Sequence, residues 1–251
     1  MDDVVKKKIS YIKTTFNIDN LSLDDNFLCN IICNKRKERV SVEKRVYSNW
    51  EDYFIGSTDV LRNIPNISDK NSLSEYERQM SAERLSELFD ASGNYEFSKE
   101  YLYSIHGYLF QDVYDWAGDI RSVAISKQQT NFLDPSEINN YLDNVFESAS
   151  REITTIHDRF QFANFLSYLF CRLNFAHPFR DGNGRTIREF LRQLVDSISF
   201  DFGSFEIDYS KMNPESLAFG LSCNVPMFIT TEFEKSLSEK EKSKCLKKVS
   251  Y

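Results

Sequence analysis

The chain has 251 residues, 41% of them hydrophobic, enough for one sizeable core or one core with a small appendage. A net charge of −7 and a pI near 5.2 argue against a general affinity for nucleic acid or acidic membranes. No stretch of ~18 apolar residues occurs and MDDVVKKK is not followed by an apolar signal core, so no membrane span and no cleaved secretory signal are expected, and the expected location is cytoplasmic.

Taken in chain order, the first signals are weak. Cys29 and Cys33 could share a helix face, where packing is the simplest reading. With Cys171, Cys223 and Cys245 they form no paired framework, and three histidines give no zinc spacing, so reduced thiols are expected. Lys35, Arg36, Lys37, Arg39, Lys44 and Arg45 form a basic cluster interrupted by Glu38 and Glu43, which reads as a solvated surface. Ser72 with Glu75 resembles a capping box, and Leu73, Tyr76, Met80, Leu85, Leu88 and Phe89 come after it at helical spacing up to Gly93. Leu102, Ile105, Leu109 and Val113 continue the period in the next segment, with Trp116 near its end.

Between Arg121 and Asp134 partial alternation around polar residues predicts a short two-stranded ribbon. Asp134, Pro135 and Glu137 start a helix whose buried face is Ile138, Leu142, Val145 and Phe146. Phe160 to Phe175 is apolar nearly all round, as a central helix packed on several sides would be. Asn213 and Pro214 start another helix, Pro226 interrupts the segment after it, and the lysines and glutamates from Glu234 to Lys248 read as an exposed helix or frayed tail. The expected fold is all-α with one short β-hairpin, divided into an N-terminal extension (1–50), a main domain (51–225) and a helical tail (226–251).

The densest chemistry lies in His177 to Arg188, HPFRDGNGRTIR. An imidazole with an unperturbed pKa near ~6.5 can accept a proton from a hydroxyl at neutral pH, which makes His177 a candidate general base. The Asp181 carboxylate suits a magnesium ion that completes its octahedron with phosphate oxygens and water. Gly182, Asn183 and Gly184 can turn successive N–H groups into an anion-binding nest. Ile187, Phe190, Leu191, Leu194 and Val195 then form one helical face, so the nest would sit at a helix N-terminus, where negative charge is favoured. Arg185 and Arg188, three apart, project from one side of the first turn and could clamp further phosphate oxygens.

At these residues the chain resembles the Fic family, whose signature H-x-F-x-[D/E]-G-N-G-R-x-x-R is matched at every specified position. The likeness extends to IHGYLFQDVYDWAGDIRSVAISK (residues 105–127) and to GSTDVLRNIPNISDKNSLSEYERQMSAERLSEL upstream, the latter resembling toxin-like and effector-like members. The resemblance implies a Fic-type helical core and an enzyme that moves AMP from ATP, with Mg2+, to a Ser, Thr or Tyr hydroxyl of a target protein. It assigns His177 as base, Asp181 as metal ligand, and the Gly182–Asn183–Gly184 backbone with the Asn183 side chain as phosphate binders. Arg185 would meet the β-phosphate and Arg188 the γ-phosphate, while Phe179 would anchor the loop. Lys127 and Phe132 are the candidate residues of the target-docking hairpin, or flap, which pairs with target backbone by strand addition.

Many Fic proteins carry an inhibitory helix, [S/T]-x-x-x-E-[G/N], whose glutamate pairs with the second motif arginine. No glutamate here is followed by glycine or asparagine, and the nearest fragment, Thr230 to Lys235, ends in lysine. The expectation is therefore that Arg188 has no inhibitory partner in cis, leaving a small antitoxin in trans or an enzyme active once delivered. The favoured target is a bacterial type II topoisomerase, as for antitoxin-controlled Fic toxins. The alternative is a translocated effector acting on host small GTPases. A Doc-like kinase is disfavoured because Gly184 and Arg188 are intact, and a non-catalytic module because base, acid, nest and both arginines are present.

Overall fold

A helix of 18 residues, α6 (Arg159–Ala176), is the element around which the others are arranged. Asp158 starts it by accepting from the Gln161 N–H, and Phe162, Phe165, Leu166, Leu169, Phe170 and Leu173 leave it buried on several sides, as the sequence leads one to expect. The computed structural model describes residues 3–33, 43–90, 95–127 and 130–240. Before α6 come α1 (Asp3–Ile18), α2 (Asp25–Cys33), α3 (Lys70–Asp90), α4 (Lys99–Phe110), the hairpin β1 (Ser126–Lys127) and β2 (Thr130–Asn131), and α5 (Ile138–Glu152). After it come α7 (Asn183–Ser197), β3 (Ser199–Phe200), β4 (Gly203–Ile207), α8 (Pro214–Cys223), α9 (Met227–Ser236) and β5 (Leu237–Glu239). Among the described residues no helix is long and apolar enough to cross a membrane.

Several expected boundaries shift for local reasons. The cap of α3 is Asp69, whose carboxylate accepts from the Ser72 N–H and hydroxyl, so Ser72 lies inside the helix it was expected to start; Gly93 lies outside the described residues. Helix α4 stops at Phe110, and Val113 and Trp116 are buried in the turns beyond it. The ribbon forms as an antiparallel pair with Ser126 opposite Asn131 and Lys127 opposite Thr130. Asp134 caps a turn of 3-10 helix, Pro135–Glu137, that leads into α5, whose buried face is the expected one.

Two features depart from an all-helical picture with one hairpin. Strands β3, β4 and β5 form a three-stranded antiparallel sheet, with Phe205 opposite Glu239 and Ile207 opposite Leu237. The segments read as an extension and a tail both enter the common core. Tyr11, Ile12 and Phe16 of α1 and Ile229 and Phe233 of α9 are buried with the residues of α6 and α7. Of the basic cluster, Lys44 pairs with Asp119 and Arg45 approaches Asp115, while Lys35, Arg36, Lys37 and Arg39 lie outside the described residues. Cys29, Cys171 and Cys223 are free thiols.

The burial of α7 decides what the site looks like. Its apolar face, Ile187, Phe190, Leu191, Leu194 and Val195, packs into the core, but Arg185, Arg188, Glu189 and Arg192 on the other face are buried as well. Helix α1 is part of that cover. Tyr11 donates its hydroxyl to Glu189, which also holds Arg192, and Tyr209 donates to the Arg188 carbonyl at 2.9 Å. Burying Ile12 and Phe16 contributes roughly 1.5–3 kcal/mol each, and the Tyr11 ring packs beside Phe89 and Tyr209, so α1 is held by the common core.

Candidate active site

Where α6 ends, His177 takes a left-handed conformation, φ 42° and ψ 59°, with its N–H still donating to the Leu173 carbonyl. For a residue with a β-carbon this costs on the order of 1–2 kcal/mol and must be held in place by its surroundings. Arg121 does much of the holding. Its guanidinium is buried and donates to the carbonyls of His177 at 2.8 Å and Val123 at 2.7 Å, and to those of Leu133 and Ala176, so one cation ties the helix end to both sides of the hairpin. Burial lowers its pKa to about 10, and carbonyl dipoles at a helix C-terminus are suitable partners for a cation. Arg121 was not singled out in the sequence, where it is one arginine beside the ribbon.

The imidazole Nδ1 of His177 lies 3.3 Å from the Asn174 carbonyl. A carbonyl only accepts, so Nδ1 carries a proton and Nε2 is the basic nitrogen of the neutral ring. The Phe132 ring stacks on the imidazole, centroids 3.7 Å apart and planes within 18°. Of the two candidate flap residues, Phe132 therefore touches the His177 ring, while Lys127 supplies backbone to β1.

The loop between α6 and α7 is built inward from Phe179. That ring is fully buried and stacks face to face on His106 of α4, centroids 3.8 Å apart and planes within 8°. Asn183 Oδ1 accepts from the Phe179 N–H at 3.0 Å and Nδ2 donates to the Phe179 carbonyl at 2.8 Å. The Asn183 side chain, which the resemblance assigns to phosphate, is thus engaged inside the loop. Asp181 is exposed, and its Oδ1 accepts from the Gly182 N–H at 2.6 Å.

Gly182 caps α7 at φ +77°, and a β-carbon there would lie 2.3 Å from the Phe110 ring. We expect Gly182→Ala to lose about 2–4 kcal/mol of stability from strain and overpacking. The urea midpoint measures it, and an unchanged midpoint would contradict this packing.

Both motif arginines are buried and paired. Arg185 donates to Glu77 Oε1 at 2.7 Å and Ser81 Oγ at 3.0 Å, and its guanidinium lies over the Phe110 ring. Burial pushes the Glu77 carboxyl up against the opposing pull of Arg185, and Tyr114 donates its hydroxyl to the other carboxylate oxygen. Arg188 donates to the Thr15 carbonyl at 2.7 Å and to Asp19 Oδ2 at 2.7 Å, and the same oxygen is 3.7 Å from Arg185 Nε. The sequence led to the expectation that Arg188 has no inhibitory partner in cis; the structure places an acidic side chain on it, because Asp19, just past the end of α1, reaches both motif arginines. Glu234, in the fragment that came nearest to the inhibitory pattern, sits on α9 with its carbonyl bonded to Arg159. A signal for Asp19 was present, since Thr15 to Asn20 reads TFNIDN, the inhibitory pattern with aspartate in place of glutamate. Gly184 makes the contact fit, because a β-carbon there would stand 2.9 Å from Asp19 Oδ1.

His177 with its Nδ1 on the Asn174 carbonyl, the exposed Asp181 and the buried Arg185 and Arg188 are thus gathered around the N-terminus of α7, where an anion is favoured. A model of the Fic/DOC family matches residues 96–195. The probable protein adenylyltransferase y4lH of Sinorhizobium fredii is 35% identical over 160 residues, 63% of this chain and 79% of that protein. The protein adenylyltransferase VbhT of Bartonella schoenbuchensis is 32% identical over 175 residues, 69% of this chain but 37% of that longer protein. Among solved structures, the effector BepC of Bartonella tribocorum with bound AMPPNP aligns with a TM-score of 0.66 over 76% of this chain and 98% of its own, at 20% identity. The chain belongs to the Fic/DOC family, and the relatives it matches are named for adenylyl transfer to protein.

Proposed function

We propose that the chain transfers AMP from ATP to a side-chain hydroxyl of a protein, with His177 as base, and that Asp19 restrains the reaction in cis. The observation that carries the first part is the geometry at the head of α7. His177 presents Nε2 as its basic nitrogen, the first turn of α7 supplies backbone N–H groups without intrahelical partners, and Asp181 points outward beside them. Buried Arg185 and Arg188 each keep an Nε–H with no hydrogen-bond acceptor, donors of the kind a phosphate satisfies.

In the reaction Nε2 takes the proton of the target hydroxyl, whose oxygen attacks the α-phosphorus. The bond to the bridging oxygen breaks, and pyrophosphate leaves along the first turn of α7 and the arginines. Phe132 against the imidazole and the Nδ1 bond to Asn174 fix the ring, so the base is aimed before substrate arrives.

Asp181 is the residue that would hold a magnesium ion. The donor fits, because one exposed carboxylate is a hard oxygen ligand and suits an ion that takes its other ligands from phosphate and water. When bound, such an ion supplies charge neutralisation at the phosphates.

The second part rests on Asp19. An anion that already occupies Arg188 competes with a γ-phosphate for the same guanidinium. The topoisomerase target was inferred from antitoxin-controlled members of the family. With the acidic partner in cis, an antitoxin is no longer needed to occupy Arg188, and the self-restrained enzyme, acting on a protein Ser, Thr or Tyr hydroxyl, is the reading we carry forward. Intact Gly184 and Arg188 continue to favour AMP transfer over the Doc-like kinase.

Label transfer in a bacterial lysate with magnesium, comparing α-labelled and γ-labelled ATP, tests the function. Protein labelled only from the α-phosphate, and only by enzyme that retains His177, is the expected result. Label from the γ-phosphate alone would replace the proposal with a kinase.

A further inference from the structure

His106 on α4 is fully buried, distant in sequence from the α7 head but in contact with its loop. Its Nδ1 lies 2.8 Å from the Gly118 amide nitrogen and its Nε2 lies 3.0 Å from the Asp181 carbonyl. An amide N–H only donates and a carbonyl only accepts, so both contacts are satisfied by one tautomer, with the proton on Nε2. The Asp181 carbonyl and the Gly182 N–H belong to one planar trans peptide and point in opposite directions. Holding the carbonyl inward on His106 turns the Gly182 N–H outward, and that N–H in turn holds Asp181 Oδ1 at 2.6 Å. The parallel stack of His106 on Phe179 fixes the ring plane in which this bond is made.

We propose that His106 is a positioning residue for the α7 head: its Nε2–H locks the Asp181–Gly182 peptide and so aims the Asp181 carboxylate. This rests on the reading of Asp181 as the acid that serves the nucleotide-bound metal. Without the bond, the peptide could rotate and both the carboxylate and the Gly182 N–H would lose their direction.

Two substitutions separate the hydrogen bond from the packing. His106→Phe keeps a flat ring against Phe179 and deletes the donor. His106→Gln deletes the ring and offers an amide donor. Binding of ADP is measured by calorimetry with and without magnesium, alongside the thermal midpoint. Loss of a supporting partner of a metal ligand costs on the order of 10–100-fold in metal affinity. His106→Phe should therefore lose about tenfold or more of the magnesium-dependent gain in ADP affinity, and His106→Gln should recover part of it even if its thermal midpoint is lower. Equal magnesium dependence in His106→Phe and the unsubstituted protein would overturn the proposal.

Nitrogen-15 shifts of the His106 ring, read on the unsubstituted protein without nucleotide, give a second test. A proton on Nε2 supports the proposal and a proton on Nδ1 overturns it, whatever the fate of the variants. If the unsubstituted protein bound ADP with no magnesium dependence, the metal reading of Asp181 would fail. The His106–Asp181 bond would then be judged by the ring shifts and by movement of the Gly182 amide signal in His106→Gln, an unmoved signal counting against it.

Discussion

Replacing His177 by alanine is expected to lower AMP transfer by about 10²–10⁴-fold, the usual contribution of a positioned general base, while nucleotide binding persists. The two effects separate because of where the groups sit. The imidazole ends α6 and faces Phe132, whereas the proposed phosphate donors are the backbone of the first turn of α7 with Arg185 and Arg188. The hydrogen bonds from Arg121 to the His177 carbonyl, from Asn183 to Phe179 and from His106 to the Asp181 carbonyl hold the turn through groups other than the His177 imidazole. Calorimetry with ADP on His177→Ala, beside the transfer rate, checks this. Loss of ADP binding together with activity would mean that the imidazole organises the loop instead of serving as base.

Replacing Asp19 by alanine is expected to raise the transfer rate, by roughly 5–150-fold if the restraint is worth the 1–3 kcal/mol typical of coupling between sites. Asp19 is the acidic partner of Arg188 at 2.7 Å and stands within 3.7 Å of Arg185, so its removal frees the guanidinium that a γ-phosphate would use. Stability should move the other way. Arg188 is buried, and without Asp19 it keeps the Thr15 carbonyl as its hydrogen-bond acceptor among the contacts described, so the thermal midpoint should fall. A faster but less stable enzyme is the signature of a restraint. Combining Asp19→Ala with Arg188→Ala should cancel the gain, because the group that was released is then gone. A slower Asp19→Ala enzyme would mean that Asp19 supports the site.

The head of α7 was legible because its chemistry is local. Eight specified residues at fixed spacing name the turn, its capping glycine and the base, and the periodicity of α5, α6 and α7 comes from faces that pack on one core. The partners of that head were not, because they come from elsewhere in the chain. Glu77 on α3 and His106 on α4 look like any residue of an amphipathic helix until the fold brings them to Arg185 and Asp181. Asp19 was missed for a narrower reason. A search for glutamate excludes a side chain one methylene shorter, yet Gly184 presents no β-carbon and lets that shorter carboxylate come close. The three-stranded sheet was also out of reach, since β3 has two residues and β5 three, and β5 pairs with β4 across two intervening helices.

One measurement bears most directly on AMP transfer by a self-restrained enzyme: mass spectrometry of the acceptor peptide after reaction with Asp19→Ala protein, ATP and magnesium. The expected product is an AMP group on a Ser, Thr or Tyr hydroxyl, more abundant than with the unsubstituted enzyme and absent with Asp19→Ala combined with His177→Ala. A phosphate in place of AMP, or AMP whose amount does not depend on His177, would contradict it.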